Sequence, residues 1–235
     1  MYHNLSHTYE VVQMTTYLLG CVPEDELTPV DRTILQVAAL CHDYGHTGIS
    51  NKDWDDESIC KLTHRVSSTE SVNRINSIEM YQSYNESMHI EMTMDVIIKY
   101  HKQLFGKMSL DAIRHHIETL ILSTDISAHN DYMVNYIAKN TKMSVMILIL
   151  KLADISHILR PFHVHLYWVY KLKQECRHCR HCRHCHDIGY VSQDTIKFAN
   201  AFVKPLMNVF VMKYPKANDL EGQMNDNLEQ WSEYS

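Results

Sequence analysis

The sequence predicts an all-α protein with a compact multi-helix fold, and three observations carry that prediction. Only six Gly and five Pro occur in 235 residues, too few turn-formers for the many tight connections of a β-rich chain. Apolar residues recur at helical spacing along most of the sequence. The run "SVMILILKLADISHIL" at 144–159 is apolar on most sides, as expected of a central helix with no exposed face. At this length one domain spanning 1–235 is the simplest organisation.

Taken in order, residues 5–19 read as a helix, and "CVPEDELTPVDR" as the loop into a second helix, "RTILQVAALCHD". Gly45 and Gly48 in "YGHTGISN" mark a turn. Residues 51–78 are polar and weakly periodic, and read as an insertion-like loop holding a short helix. Helical patterns resume in "ESMHIEMTMDVIIKYH", "SLDAIRHHIETLILSTDISAH" and "DYMVNYIAKN", ahead of the central run. Residues 176–186, "CRHCRHCRHCH", are a low-complexity repeat of a triplet. After it, "SQDTIKFANAFVKPLMNVFVMKY" is helical with Pro205 placed to kink or break it, and "DLEGQMNDNLEQWSEYS" closes the chain as an amphipathic helix.

Composition narrows the function. A formal charge of −6 without a basic, aromatic-interleaved stripe argues against a nucleic-acid polymer as partner. The longest apolar run is too short to span a bilayer, so no membrane partner is expected. No signal-peptide pattern opens the chain, and seven cysteines lack the look of a disulfide framework. A cytoplasmic, reducing setting is the simplest expectation. The oligomeric state stays open, a homo-oligomer included. Seventeen histidines are many for this length.

Some of those histidines sit where metal chemistry would need them. In "CHDYGHTGISN", His42 and Asp43 are adjacent at the end of an apolar helix and His46 follows. Imidazole and carboxylate together suit a divalent ion, and a carboxylate can bridge two. Alone, the pair is equally a capping Asp beside an incidental His. His3 and His7 in "MYHNLSH" are four apart, a spacing that on a helix points both side chains one way, although a residue near a terminus is often disordered. Asp154 ends the most apolar helix, where a carboxylate must be ligated or paired, or else make a helix-terminal hydrogen bond. The repeat sets Cys176, Cys179, Cys182 and Cys185 at C-x-x-C spacing among His178, His181, His184 and His186. Its near-perfect periodicity favours a tandem expansion over a dedicated metal site, and adventitious metal binding or redox sensitivity is the expectation for the expanded segment.

With "YHNLSH", "HDYGHTGISN", "STDISAH" and "LADISHILRP" in this order, joined by "SYNESMH" and "NLEQW", the chain resembles the class I cyclic nucleotide phosphodiesterases, an all-helical branch of the HD-domain metallohydrolases. The likeness runs from Tyr2 to about Trp231. It implies that His7, His42, Asp43 and Asp154 hold a zinc-like ion. Asp43 would also bridge to a second ion, magnesium with manganese as an alternative, and a hydroxide between the two would attack phosphorus. It implies His3 as proton donor to the departing 3′ oxygen, with Glu175 orienting it; Arg160, Pro161 and Trp168 fall at family-like positions on the same ungapped count. His46 and Glu86 match residues that orient waters and ligands, and His89 and His129 have supporting parts. Tyr2, Phe198 and Leu172 would meet the substrate, the last two as opposing walls of a purine slot.

The sequence also departs from that pattern. Thr195 stands where the family reads the purine with a glutamine, and Gln193 lies two residues earlier. His157 replaces an asparagine, and Thr47 a proline. The leading expectation is metal-dependent hydrolysis of cyclic AMP, cyclic GMP or both to 5′-monophosphates. Another HD-domain nucleotide phosphohydrolase is an alternative, as is a catalytically impaired relative that binds nucleotide or a partner. The resemblance also implies a helical subdomain ahead of "YHN" that this chain lacks, so metal binding is expected to survive better than turnover.

Overall fold

Asn4 starts the first helix. Its backbone is extended (φ −149°), and its side-chain oxygen accepts from the N–H groups of Ser6 and His7 at 2.8 and 3.2 Å, the usual N-cap arrangement. Helix α1 (Leu5–Cys21) follows, so His3 lies before the cap, outside any helix. The helical i, i+4 expectation for His3 and His7 is thereby corrected: the cap places His7, and other contacts hold His3.

We describe the protein from a computed structural model covering residues 2–54, 69–76, 83–176 and 187–234. The triplet repeat beyond Cys176, and residues 55–68 and 77–78 of the insertion-like stretch, lie outside the described residues. Among the described residues the regular elements are helices and no strand occurs, as the composition predicts.

Helix α2 (Pro29–Cys41) opens with a capping box between Thr28 and Asp31 and with Pro29 in its first turn, three residues earlier than the apolar pattern indicates. Proline is favoured there because its missing N–H has no intrahelical partner anyway. Helix α3 (Thr69–Asn76) is the short helix expected in the polar stretch. Next come α4 (Tyr84–Phe105), ended by Gly106 at φ +61°, and α5 (Leu110–Leu122), capped by Ser109. The expected run to His129 stops at Leu122 because Ser123 and Thr124 hydroxyls donate back to the carbonyls of Leu120 and Ile121 at 2.6 and 2.7 Å, closing the helix end. A 3-10 turn (Ile126–Ala128) then leads into α6 (His129–Asn135).

Helix α7 (Lys142–Asp154) is the axis of the molecule: every side chain from Ser144 to Ala153 is buried. It packs against α1, α2 and α5. The apolar run ends at Asp154 and continues as a 3-10 turn, Ser156–Leu159, before α8 (Phe162–Cys176). Helix α9 (Ile188–Phe198) passes through a π segment (Ala199–Val203) into α10 (Lys204–Lys213), which also packs on α7. The π segment is where Pro205 acts, since a wider turn accommodates its ring and missing N–H without breaking the helix.

Helix α11 (Asn218–Ser232) seals one end. The Asn227 amide donates to the carbonyls of Ile158 and Arg160 at 2.6 and 2.8 Å, tying the closing "NLEQW" segment to the turn behind Asp154. Asn227→Ala leaves two carbonyls without their donor, and is expected to cost about 2 kcal/mol and to lower the melting temperature by about 4–8 °C in a chain of this size, measured by calorimetry.

Candidate metal centre and adjoining cavity

Four side chains from three helix ends meet behind α7. His7 comes from the first turns of α1, His42 and Asp43 from the end of α2, and Asp154 is the last residue of α7. One ligand atom from each lies within 4.8 Å of all the others. His42 Nε2 is 3.1 Å from Asp43 and 3.2 Å from Asp154, and His7 Nε2 is 3.1 Å from Asp154 and 3.4 Å from Asp43. The His42 Nδ1–H donates to the Ala39 carbonyl at 2.9 Å, which turns Nε2 into the cluster.

The electrostatics call for a cation. Burial opposes ionisation of Asp43 and Asp154, yet the His42 imidazole beside them holds both carboxyls well below the usual range. Burial likewise opposes charge on His42, but the two carboxylates raise its pKa well above the ordinary value. Asp154 also faces the negative end of its own helix dipole, which adds to the demand for positive charge. His42 Nε2 and Asp43 Oδ2 are buried with no aligned hydrogen-bond partner. Two imidazoles and two carboxylates, with orphaned atoms converging, fit a divalent metal ion.

Beside this cluster, Glu175 of α8 gathers the start of the chain. It accepts from the backbone N–H of Tyr2 at 2.6 Å and of His3 at 3.2 Å, and pairs with the His3 Nδ1. Burial would lower the His3 pKa, but Glu175 and the nearby carboxylates raise it above its usual value. Glu175 itself, despite burial, is drawn down to about 2 by His3. His46 stacks on His3 with centroids 3.9 Å apart and planes 22° apart. Burial and the His3 charge push His46 down to about 4, and its Nδ1 accepts from the Gly48 N–H at 2.9 Å. His3, His46 and Glu175 are close enough to form a second ligand set, but stacked imidazoles direct their in-plane lone pairs side by side rather than at one ion. Gly45 makes the turn possible: it sits at φ +85°, and an added Cβ would lie 2.5 Å from the Met92 sulfur.

On the opposite wall, burial and the charge of Asp125 raise Glu86 to about 7. Asn51 donates to Glu86 at 2.9 Å, and its carbonyl oxygen accepts from the Asn85 N–H at 2.7 Å. Trp54 Nε1 donates to Asn85 at 2.8 Å. Burial lowers His89 to about 3. His129 packs edge-on to Phe202, centroids 5.1 Å apart, and does not line the cavity described next. Asn51 and Asp125 line that cavity although sequence reasoning gave them no part. Asn51 was hidden at the start of the polar stretch; the signal for Asp125 was its place inside "STDISAH".

A cavity of ≈ 370 Å³ opens beside these residues and is lined by Tyr2, His3, Asp43, His46, Glu86, Asp154 and Glu175. Phe198, Leu172, Thr195, His157 and Val169 also line it. His7 and His42 lie behind, buried. Every residue expected to touch substrate thus reaches one space. Thr195 spends its hydroxyl proton on the Val191 carbonyl at 2.7 Å, and Gln193 is exposed and does not line the cavity.

The class that fold and site define is an all-helical protein with a His/Asp cluster able to hold a metal ion beside a cavity. The chain belongs to the 3′5′-cyclic nucleotide phosphodiesterase family, whose pattern it matches over residues 2–224. It is 26% identical over 188 residues to the human high affinity cGMP-specific 3′,5′-cyclic phosphodiesterase 9A, covering 74% of this chain and 29% of that protein. Against the 3′,5′-cyclic-nucleotide phosphodiesterase 2 of Saccharomyces cerevisiae it is 26% identical over 178 residues, covering 74% and 30% respectively. The chain thus spans under a third of the length of these curated relatives. The crystal structure of the phosphodiesterase domain of Salpingoeca rosetta rhodopsin phosphodiesterase shares the fold, with a TM-score of 0.77 at 21% identity over 97% of this chain and 74% of that one. Among the described residues no helix is long and apolar enough to cross a membrane.

The His3–Glu175 pair gives a stability prediction. The His3 pKa is raised on folding, so its contribution is full below the unfolded value of 6.5 and is lost as pH rises through the folded value. The Glu175 pKa is lowered, so its contribution is full above the unfolded value of 4.5 and is lost as pH falls toward about 2. The melting-temperature gap between the protein and Glu175→Gln is therefore expected to be widest between those two unfolded values and to narrow on either side.

Proposed function

We propose that the chain hydrolyses 3′,5′-cyclic nucleotides, cyclic AMP, cyclic GMP or both, to nucleoside 5′-monophosphates with the help of divalent metal ions. One observation carries this reading: Asp43 and Asp154 of the His/Asp cluster, the His3–Glu175 pair and the apolar side chains of Phe198 and Leu172 line a single cavity of ≈ 370 Å³, a size that suits a small ligand. His7, His42, Asp43 and Asp154 are the residues that would hold zinc. Asp43 would also help to hold a second ion, magnesium or manganese. When bound, such ions draw charge from the phosphoryl oxygens and acidify the attacking water.

The chain's own residues supply the rest. Water adds to phosphorus, the bond from phosphorus to the 3′ oxygen breaks, and the departing oxygen needs a proton. His3 keeps that proton because Glu175 raises its pKa, and Glu175 also fixes the ring through Nδ1, leaving Nε2 to donate. His46, neutral and stacked on His3, and Glu86, poised near 7, orient water in the polar half. Phe198 and Leu172 grip the flat faces of the base, with Tyr2, His157 and Thr195 at its margins. The free thiols of Cys21 and Cys41 suit a reducing, cytoplasmic compartment.

Steady-state hydrolysis of cyclic AMP and cyclic GMP tests this. His3→Ala is expected to lower kcat by about 10²–10⁴ with bound metal unchanged, whereas Asp154→Ala is expected to abolish turnover and reduce metal content. Turnover that survives Asp154→Ala would sink the proposal.

A further inference from the structure

His157 reaches the cavity from the 3-10 turn after α7, and His165 of α8 stacks behind it with centroids 4.9 Å apart and planes 19° apart. Their Nδ1 atoms are 2.8 Å apart, a distance at which one of them must carry a proton and the other a lone pair. On the far side of His165, the Trp231 indole N–H lies 2.7 Å from Nε2. An indole N–H can only donate, so His165 Nε2 accepts. A neutral His165 then holds its proton on Nδ1 and gives it to His157 Nδ1. A neutral His157 in turn must hold its own proton on Nε2.

Both rings are neutral. His165, accepting at Nε2, holds only its Nδ1 proton, and His157 Nδ1 must keep a lone pair to receive it, so neither ring carries a second proton; burial also pushes His165 down to about 4. The groups packed around them fit this. His165 meets Trp231 and Phe162 in addition to His157, and His157 faces the Tyr2 ring at 6.1 Å, with Asp154 the carboxylate acting on it. Asn227 and the Trp231 carbonyl, which accepts from Ser192 at 2.6 Å, fix both ends of the assembly.

We propose that His165 is a positioning residue for substrate binding: relaying the donor of Trp231, it sets His157 as an Nε2–H donor at the cavity wall, where it binds an acceptor on the edge of a purine. The proposal rests on the reading of the cavity as a cyclic-nucleotide site. Both adenine and guanine carry an acceptor at N7, so the feature recognised is one that purines share. Thr195 does not duplicate it, because its hydroxyl proton is committed to Val191 and only its lone pairs remain.

The test has a spectroscopic and a kinetic arm. Long-range ¹H–¹⁵N correlation on the labelled, metal-loaded protein is expected to show His165 protonated at Nδ1 and His157 at Nε2, and Trp231→Phe is expected to disturb that pattern. His165→Phe keeps a ring but ends the relay, and is expected to raise KM about tenfold while kcat stays within about twofold. His157→Gln carries its own amide donor, so adding His165→Phe to it is expected to change KM by less than about twofold. A proton on His157 Nδ1 in the wild-type spectrum overturns the proposal, as does a His165→Phe penalty that falls equally on kcat or is undiminished in the His157→Gln background. Absence of any cyclic-nucleotide turnover by the wild-type protein would instead overturn the functional reading and the binding role with it, while the spectrum would still decide the tautomers.

Discussion

Two carboxylates, Asp43 and Asp154, meet inside a helical core, and only positive charge makes that arrangement tolerable. Each is largely shielded from water, and Asp154 also stands at the negative end of its helix dipole. The rest of the structure sets beside them imidazoles that, as neutral ligands, would help hold a cation supplying that charge. α1 brings His7, the end of α2 brings His42, and the hydrogen bond to Ala39 points the His42 ring inward. The buried face of α7 holds the three helix ends together, so the apolar core and the polar cluster are parts of one construction.

That constraint reaches outward into the cavity. Surplus negative charge raises the His3 pKa as well as that of His42, which keeps a proton available beside the space that the substrate would fill. The same burial that makes His3 and Glu175 a strong pair keeps His46, His89 and His157 neutral. One pocket therefore contains histidines of opposite protonation, separated by which of them has a carboxylate partner.

Where interactions are local, the sequence was readable. The apolar run predicted the central helix, and few Gly and Pro predicted the absence of strands among the described residues. Where interactions are distant, it was not. His3 owes its position to Glu175, 172 residues away, rather than to helical spacing, and the Trp231–His165–His157 chain joins segments that no local pattern connects. Asn51 and Trp54 read as the start of a polar insertion, yet their side chains brace the wall that carries Glu86. Helix ends moved for chemical reasons: hydroxyl groups of Ser123 and Thr124 stopped α5, and a π segment absorbed Pro205.

The account stands on the claim that the Asp43–Asp154 pair is built for a divalent cation. Its most direct measurement is the melting temperature of chelated protein titrated with zinc, alongside Asp154→Asn. The account predicts a saturable rise for the wild-type chain, as any ligand bound only by the folded state must produce, and its loss in Asp154→Asn. Identical zinc responses in the two proteins, or none in the wild type, would contradict it.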